Sequence, residues 1–423
     1  MITRSPAALR YNKSLAHEAP ARHNPPWLFG VLSLPYGIGN AIIVILVPYL
    51  LRKQGVAVDR IAGIVALALT PAVWYFLYSP VVDIRWRRRT WLLLAAAGAA
   101  LFSGLALLLS ATSLSALTVL IFLASAVSGL LSSAIGAVLT TLPPATRGRA
   151  SGWYQAGNLG GGAIGGGLAI WIADHSTLPA LAFCSAAMIG APALAALLIH
   201  EQPSPPNALG PQFRHLFRDL LQVVKSRRTL IGLVFFLSPV GSAAVANLIA
   251  GLGPDYRASS NEVLLVTGIA GGLLSALGSL LGGWVCDRVN SMRAYAAAGG
   301  LSAVFAACLG FARPTPFVFG AGYSGYAIAA GFAYAVFTAL VLDVLGARRV
   351  AAGTAYSLLV ASGNLPIVYM TWLDGVGYKH RGALGLMGVD ALANGAGALA
   401  LLWFATFARR AWDAEREPQL TAP

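Results

Sequence analysis

A chain of 423 residues that is 57% hydrophobic and only 10% charged, with a mean hydropathy of +0.71, falls outside the soluble globular class, where about 25% of residues are charged. Its apolar residues come in runs of about 20, each long enough to cross a hydrocarbon core of about 30 Å as a helix. A formal net charge of +14 would suggest nucleic acid in a soluble domain. Here the basic residues lie between apolar runs, the pattern of loops facing anionic lipid. No nucleic-acid partner is expected.

In chain order, residues 1–26 are polar and read as a cytoplasmic tail; the first apolar run is too long for a cleavable signal peptide. Six spans are predicted at 27–51, 58–82, 90–111, 114–142, 151–173 and 178–200. The stretch 201–228, with prolines at its start and basic residues at its end, reads as a cytoplasmic linker and an amphipathic surface segment. Six more spans follow at 229–252, 262–284, 292–313, 317–343, 352–373 and 382–408, before a cytoplasmic tail at 409–423. The fold class is therefore all-α and membrane-embedded, with an amino-terminal half over 27–200 and a carboxyl-terminal half over 229–408.

Sidedness follows from the 29 Lys and Arg residues. With the amino terminus inside, only Arg52, Lys53, Arg60, Arg257, Arg313, Lys379 and Arg381 fall in outer loops, and the other 22 face the cytoplasm. Both termini are placed there, in a bacterial-type inner membrane. Cys184, Cys286 and Cys308 fall inside or at the ends of apolar runs with no CxxC pair. No disulfide scaffold, zinc site or cofactor is expected.

The halves share marks. Ser79-Pro-Val-Val-Asp83 closes the second span and Gly283-Trp-Val-Cys-Asp287 closes the eighth, while basic residues followed by Gly152 and by Gly353 open the fifth and eleventh. Two six-helix halves in parallel register describe the major facilitator architecture, with a midplane site between rocking halves. An Asp at a helix end near basic residues and a helix amino terminus can act as a latch that forms in one access state and breaks in the other. Asp83 with Arg87, Arg88 and Arg89, and Asp287 with Arg288, fit that role. The fifth span carries Gly157, Gly161 and Gly165, doubled by Gly162 and Gly166, and the eighth carries Gly268, Gly272, Gly278 and Gly282. Such density implies close helix approach, and the fifth span is expected to slide on a neighbour from the other half.

The stretches SPVVDIRWRRRTW (79–91), RASGWYQAGNLGGGAIGGGLAIWIAD (149–174), GTAYSLLVASGNLPIVYMTWLDGVGY (353–378) and MGVDALANG (387–395) resemble the AmpG-type muropeptide permeases and their acetyl-CoA transporter relatives. The resemblance implies a major facilitator fold and solute import driven by the proton gradient. Its cargo would be a muropeptide, or in related branches acetyl-CoA or a ferric siderophore. Ser79 stands where the wider superfamily has glycine, and the extra carboxyl-terminal spans of many AmpG proteins are absent.

A charge at a helix centre costs roughly 2.5–3.5 kcal/mol on insertion scales, so Asp390, about two turns into the last span, is the candidate for proton coupling. Asp343 and Asp374 end the tenth and eleventh spans. The substrate-binding candidates are Tyr36, Asn40, Gln155, Asn158, Asn247, Tyr326, Tyr356 and Asn364, with Tyr323 and Tyr334 as further polar groups of the tenth span. Amides and phenols bond hydroxyl or peptide groups, and their rings stack on apolar faces. Each could equally bond helix to helix. With no Lys, Arg or His inside a span, neutral cargo is favoured over phosphates or CoA. The six histidines share no spacing, which disfavours a membrane-embedded transferase; the chain is read as a monomeric transporter, not an enzyme, with a proton-coupled efflux pump as the rival within the fold.

Overall fold

In lipid, each backbone N–H and C=O must be satisfied within its own segment, so apolar runs of this length become helices. The computed structural model describes residues 24–83, 86–201, 218, 222–346 and 351–414. The tail to residue 23, Arg85, most of the 201–228 linker, Arg348, Arg349 and the tail beyond 414 lie outside the described residues.

The first six helices are α1 (Pro26–Lys53), α2 (Val58–Leu77, resuming as Pro80–Asp83), α3 (Arg88–Leu109), α4 (Leu114–Leu139), α5 (Pro144–His175) and α6 (Leu178–Leu198). The second six begin with α7 (Arg227–Phe236, resuming at Val245), α8 (Ser260–Cys286), α9 (Ser291–Phe311) and α10 (Pro316–Leu345). The last segment, Ala352–Ala414, folds back at Arg381 and Gly382 into α11 (352–380) and α12 (383–414). Local chemistry sets the starts. Proline occupies the first turn of α1, α5 and α10, where its missing N–H has no partner to lose. Ser113, Thr315 and Asn290 accept backbone N–H groups at the heads of α4, α10 and α9. Ser259 and Glu262 form a reciprocal capping box on α8.

Among the described residues, nine segments are long and apolar enough to cross a membrane. Twelve helices result because α11 and α12 are one of the nine, α5 is diluted by glycine and polar groups, and α7 is interrupted. The twelve form the two six-helix halves of the major facilitator architecture.

The core shows how the halves meet. At the face where α2, α4, α8 and α10 end and α5 and α11 begin, one continuous apolar cluster joins the halves; Leu139, Leu142 and Ala150 belong to it together with Leu340, Leu345 and Tyr356. Toward the opposite face the core divides into one cluster within α1–α6, around Ile42, Leu46 and Ile189, and another within α7–α12, around Val245, Phe319 and Met387. The buried core is thus continuous across the halves at one face and separate in each half toward the other.

The glycine pattern calls for a correction. Gly157, Gly161 and Gly165 back onto Gly30, Leu34 and Ile38 of α1, and Gly162 and Gly166 do the same further along. That doubled stripe fixes a contact within one half. The contact between halves uses other small residues: Gly152 against Ser279 and Gly283, Gly160 against Ala276, and Gly272 against Ala163. Glycines recurring every four residues cannot tell these faces apart, because α5 carries small residues on both.

Candidate functional site: a neutral cavity between the halves

Between the halves lies a cavity of about 370 Å³. Its first-half wall comes from Tyr36 and Asn40 of α1, Ser132 of α4, and Tyr154, Gln155 and Asn158 of α5. Its second-half wall comes from Ser242 in the α7 interruption, Tyr295 of α9, Tyr334 and Thr338 of α10, and Tyr356 and Asn364 of α11. No Asp, Glu, Lys, Arg or His is among the described residues that line it.

The walls are held by polar bonds that cross the seam. Gln155 Nε2 donates to Thr338 Oγ1 at 2.8 Å, and Gln155 Oε1 accepts from Asn158 Nδ2 at 3.2 Å. Asn364 Nδ2 donates to the Ala72 carbonyl of α2 at 3.1 Å. The Tyr356 ring lies against the bare backbone of Gly136, where a Cβ would overlap it. The α7 interruption is shaped by Pro239, by Gly241 at φ 76° and by Ala243 at φ 51°, and Tyr295 OH donates to the Val240 carbonyl at 2.6 Å. Broken helices at membrane depth occur where backbone lines a cavity. The buried Ser242 Oγ has no hydrogen-bond partner, so a donor and acceptor are left at the wall.

One end of the cavity is sealed. Asp83 at the end of α2 accepts the Gly353 and Thr354 N–H groups of α11 at 3.0 and 2.9 Å and the Thr354 hydroxyl at 2.8 Å. Ser79 and Ser357 hydroxyls bond one turn deeper at 2.6 Å. Asp287 at the end of α8 pairs with Arg149 of α5 at 2.6 Å. Beside it the buried Arg147 lies 3.7 Å from Asp343 and donates to the Leu342 carbonyl at 3.3 Å. Among the described residues these seam contacts gather at the midplane and at the sealed face. On the opposite face Lys53 and Tyr49 both bond Asp174 within the first half, which ties α1 to α5. Those donors hold the Asp174 carboxyl below the usual carboxylate range, Lys53 first.

Six of the eight substrate-binding candidates line the cavity: Tyr36, Asn40, Gln155, Asn158, Tyr356 and Asn364. Asn247 lies outside it, donating to Thr371 at 3.1 Å, and Tyr326 is fully buried against Asp390. Asp390 itself is buried away from the cavity. The seam carboxylates have partners other than those expected from the loops. Asp83 bonds the α11 amino terminus, whereas the Arg88 guanidinium donates to the Ala137 carbonyl at 3.0 Å and Arg87 is exposed. Asp287 pairs with Arg149, and Arg288 stacks on Trp284 at 4.0 Å. A helix end points its carboxylate along its own axis, toward the element crossing ahead of it, so loop neighbours in sequence were a poor guide. Ser242 is not among the sequence-based candidates, although Pro239 and Gly241 inside an apolar run signal the break that places it at the cavity wall. Tyr154, Ser132 and Thr338 carry no such signal.

The sequence model of the Major Facilitator Superfamily matches residues 29–370. Among solved structures, the chain is similar to the proton:xylose symporter XylE (17% identity, 90% of this chain and 94% of that one, TM-score 0.67). It is also similar to the human organic anion transporter MFSD10 (19% identity, 91% and 100%, TM-score 0.69) and to FucP in an outward conformation (15%, 90% and 97%, TM-score 0.67). No curated protein matches the sequence. A fold shared over 90% of the chain and a matching sequence pattern over residues 29–370 give one answer: this protein belongs to the Major Facilitator Superfamily, whose members move small solutes across membranes.

Proposed function

We propose that the protein is a secondary active transporter of small, uncharged, hydrogen-bonding solutes, working by alternating access around the cavity between its halves. The observation that carries this reading is the cavity's lining: amides, phenols and hydroxyls from both halves, with no charged side chain. Such a wall can bond sugar hydroxyls or peptide groups and stack ring carbons on tyrosine faces. It offers nothing to balance phosphates or several carboxylates, whose burial without partners is costly. The neutral lining therefore favours a sugar or a short uncharged amide over a charged muropeptide, a siderophore or CoA. The neighbour described as a proton:xylose symporter carries cargo of the favoured class.

The distribution of Lys and Arg puts the sealed face in the cytoplasm, so the state described here is outward-facing, in a bacterial-type inner membrane with both termini inside. Asp83, Asp287 and Arg149 form the latch of that state, with Arg87 and Arg288 as exposed anchors of the same face and Arg88 tied to α4. Import is favoured by the resemblance to the AmpG-type permeases, and Asp390 is the coupling carboxylate. The protein works as a monomer.

Counterflow in proteoliposomes tests the reading. Vesicles loaded with unlabelled pentoses, hexoses, N-acetylhexosamines, anhydro-muropeptides or dipeptides are given trace labelled solute outside. Accumulation of a neutral member, and not of charged ones, is expected; accumulation of charged members alone would overturn it.

A further inference from the structure

Two carboxylates lie in the apolar interior of the second half. Asp374 of α11 and Asp390 of α12 are both fully buried. The hairpin at Arg381 and Gly382 lays α12 back along α11, and the two helices nearly touch where Gly377 meets Gly385 and Val389; a Cβ on Gly377 would stand 2.6 Å from the Gly385 carbonyl and 2.9 Å from Val389 Cγ2. One turn further from the hairpin, that register brings Asp374 level with Asp390. From α10 the Tyr326 hydroxyl reaches both Asp390 oxygens, at 3.4 and 3.3 Å.

Around this pair the acceptors outnumber the donors. Both oxygens of Asp374 are buried with no hydrogen-bond partner, and so is Asn394 Oδ1, one turn beyond Asp390. Among the described residues, Tyr326 of α10 is the phenol that bonds the pair. Between α7 and α8, Tyr256 donates to the Leu309 carbonyl and Asp255 accepts from Tyr378 OH at 3.0 Å, so neither serves the pair. Lys379, His380 and Arg381 of the hairpin are exposed. Two neighbouring carboxylates in such surroundings do not both ionise; one proton between them supplies a donor where acceptors are in excess and halves the charge.

We propose that Asp374 and Asp390 form a dyad that shares one proton, a proton-binding site in the α11–α12 hairpin outside the central cavity. The proton is carried as O–H on one carboxyl and accepted by the other, and Tyr326 donates to the charge that remains. The inference rests on the transporter reading for its purpose, coupling, but not for its chemistry. It also supplies a mechanical route. Asn247 of the resumed α7 bonds Thr371, one turn before Asp374, and the α7 interruption lines the cavity at Ser242. A change in dyad protonation would thus be felt by the cavity wall through α7.

Infrared titration of the full chain in lipid, following the carboxylic C=O band against pH, tests this without any cargo. A dyad titrates in two steps that belong to the pair. In D374N and in D390N a single step is expected, displaced from both wild-type steps by at least about one pH unit, the coupling that defines such pairs. A variant that merely deletes one step and leaves the other in place shows independent acids and overturns the proposal. So does a titration that shifts when sodium chloride replaces choline chloride, which would mark a sodium site. Should neither Asn variant fold, Y326F keeps both acids; displaced steps are expected, and unmoved steps overturn the proposal. Counterflow can succeed while this titration fails, or the reverse, so the two readings stand or fall separately.

Discussion

Asp83 closes α2 by capping the amino terminus of α11 in the opposite half, its carboxylate accepting two backbone N–H groups and the Thr354 hydroxyl. The bond joins a negative charge to the positive end of a helix dipole, and all three of its donors lie across the seam. Opening this face must break all of them at once. D83N removes the charge and turns one acceptor into a donor facing an N–H. Hydrogen bonds to charged groups contribute about 1.5–3 kcal/mol, so the sealed state is expected to lose roughly ten- to a hundredfold in population. Spin labels at the exposed positions 86 and 288, with Cys184, Cys286 and Cys308 replaced by serine, should report a longer mean distance in D83N. An unchanged distribution would remove Asp83 from the latch.

The α5–α8 crossing makes a steric counterpart to that electrostatic seal. A Cβ on Gly283 would stand 2.5 Å from the Gly148 carbonyl and 2.7 Å from Gly152 Cα; one on Gly152 would stand 2.8 Å from the Ser279 carbonyl. Backbone atoms cannot yield as a flexible side chain can. G283A is therefore expected to wedge this face apart, abolishing counterflow while the protein still elutes as a folded monodisperse species. G300A, with open space around its Cβ, should transport normally.

The twelve spans were legible because lipid leaves an apolar run few alternatives to a helix; the observed helices begin and end within a few residues of the expected runs, except that α5 starts earlier at Pro144 and α11 and α12 run on past the expected ends at 373 and 408. The cavity was partly legible. Tyr36, Asn40, Gln155 and Asn158 stand out as polar groups in apolar runs, and pairs one turn apart share a face. Hidden from the sequence were relations between distant segments. Asp374 sits near a span end and reads as an outer-face charge, yet it is buried in the hairpin at the level of Asp390. Arg149 reads as a topological anchor, yet it meets an aspartate 138 positions away. Hydropathy records how deep a residue lies, and it does not record which helix stands opposite.

The open face has its own tie, Asp174 with Lys53 and Tyr49. Because the folded carboxyl titrates below its ordinary range, its contribution is present above about pH 4, the ordinary Asp value, and is lost as pH falls through the lower folded value. The pair is solvent-exposed, so the effect on stability is small. D174N should melt slightly below wild type at pH 7 and together with it at the acid end. A gap between the two melting temperatures that persists in acid would mean Asp174 acts through something other than its charge.

Gln155 offers the sharpest test of the cavity itself. Its amide donates to Thr338 in the other half and accepts from Asn158 in its own, so it both bridges the seam and faces the solute. Q155A would leave Thr338 Oγ1 without its donor and Asn158 without its acceptor, and unmet polar groups in a buried site cost about 1–3 kcal/mol each. A rise in counterflow KM of roughly ten- to a hundredfold is expected for a neutral cargo. T338V removes the partner alone and should cost less, since Gln155 can then turn its amide to the solute. If the bridge matters, the double variant Q155A/T338V will lose less than the two single losses combined, the signature of residues in direct contact. Additive losses would instead place Gln155 on the solute alone, with Thr338 a bystander in the wall.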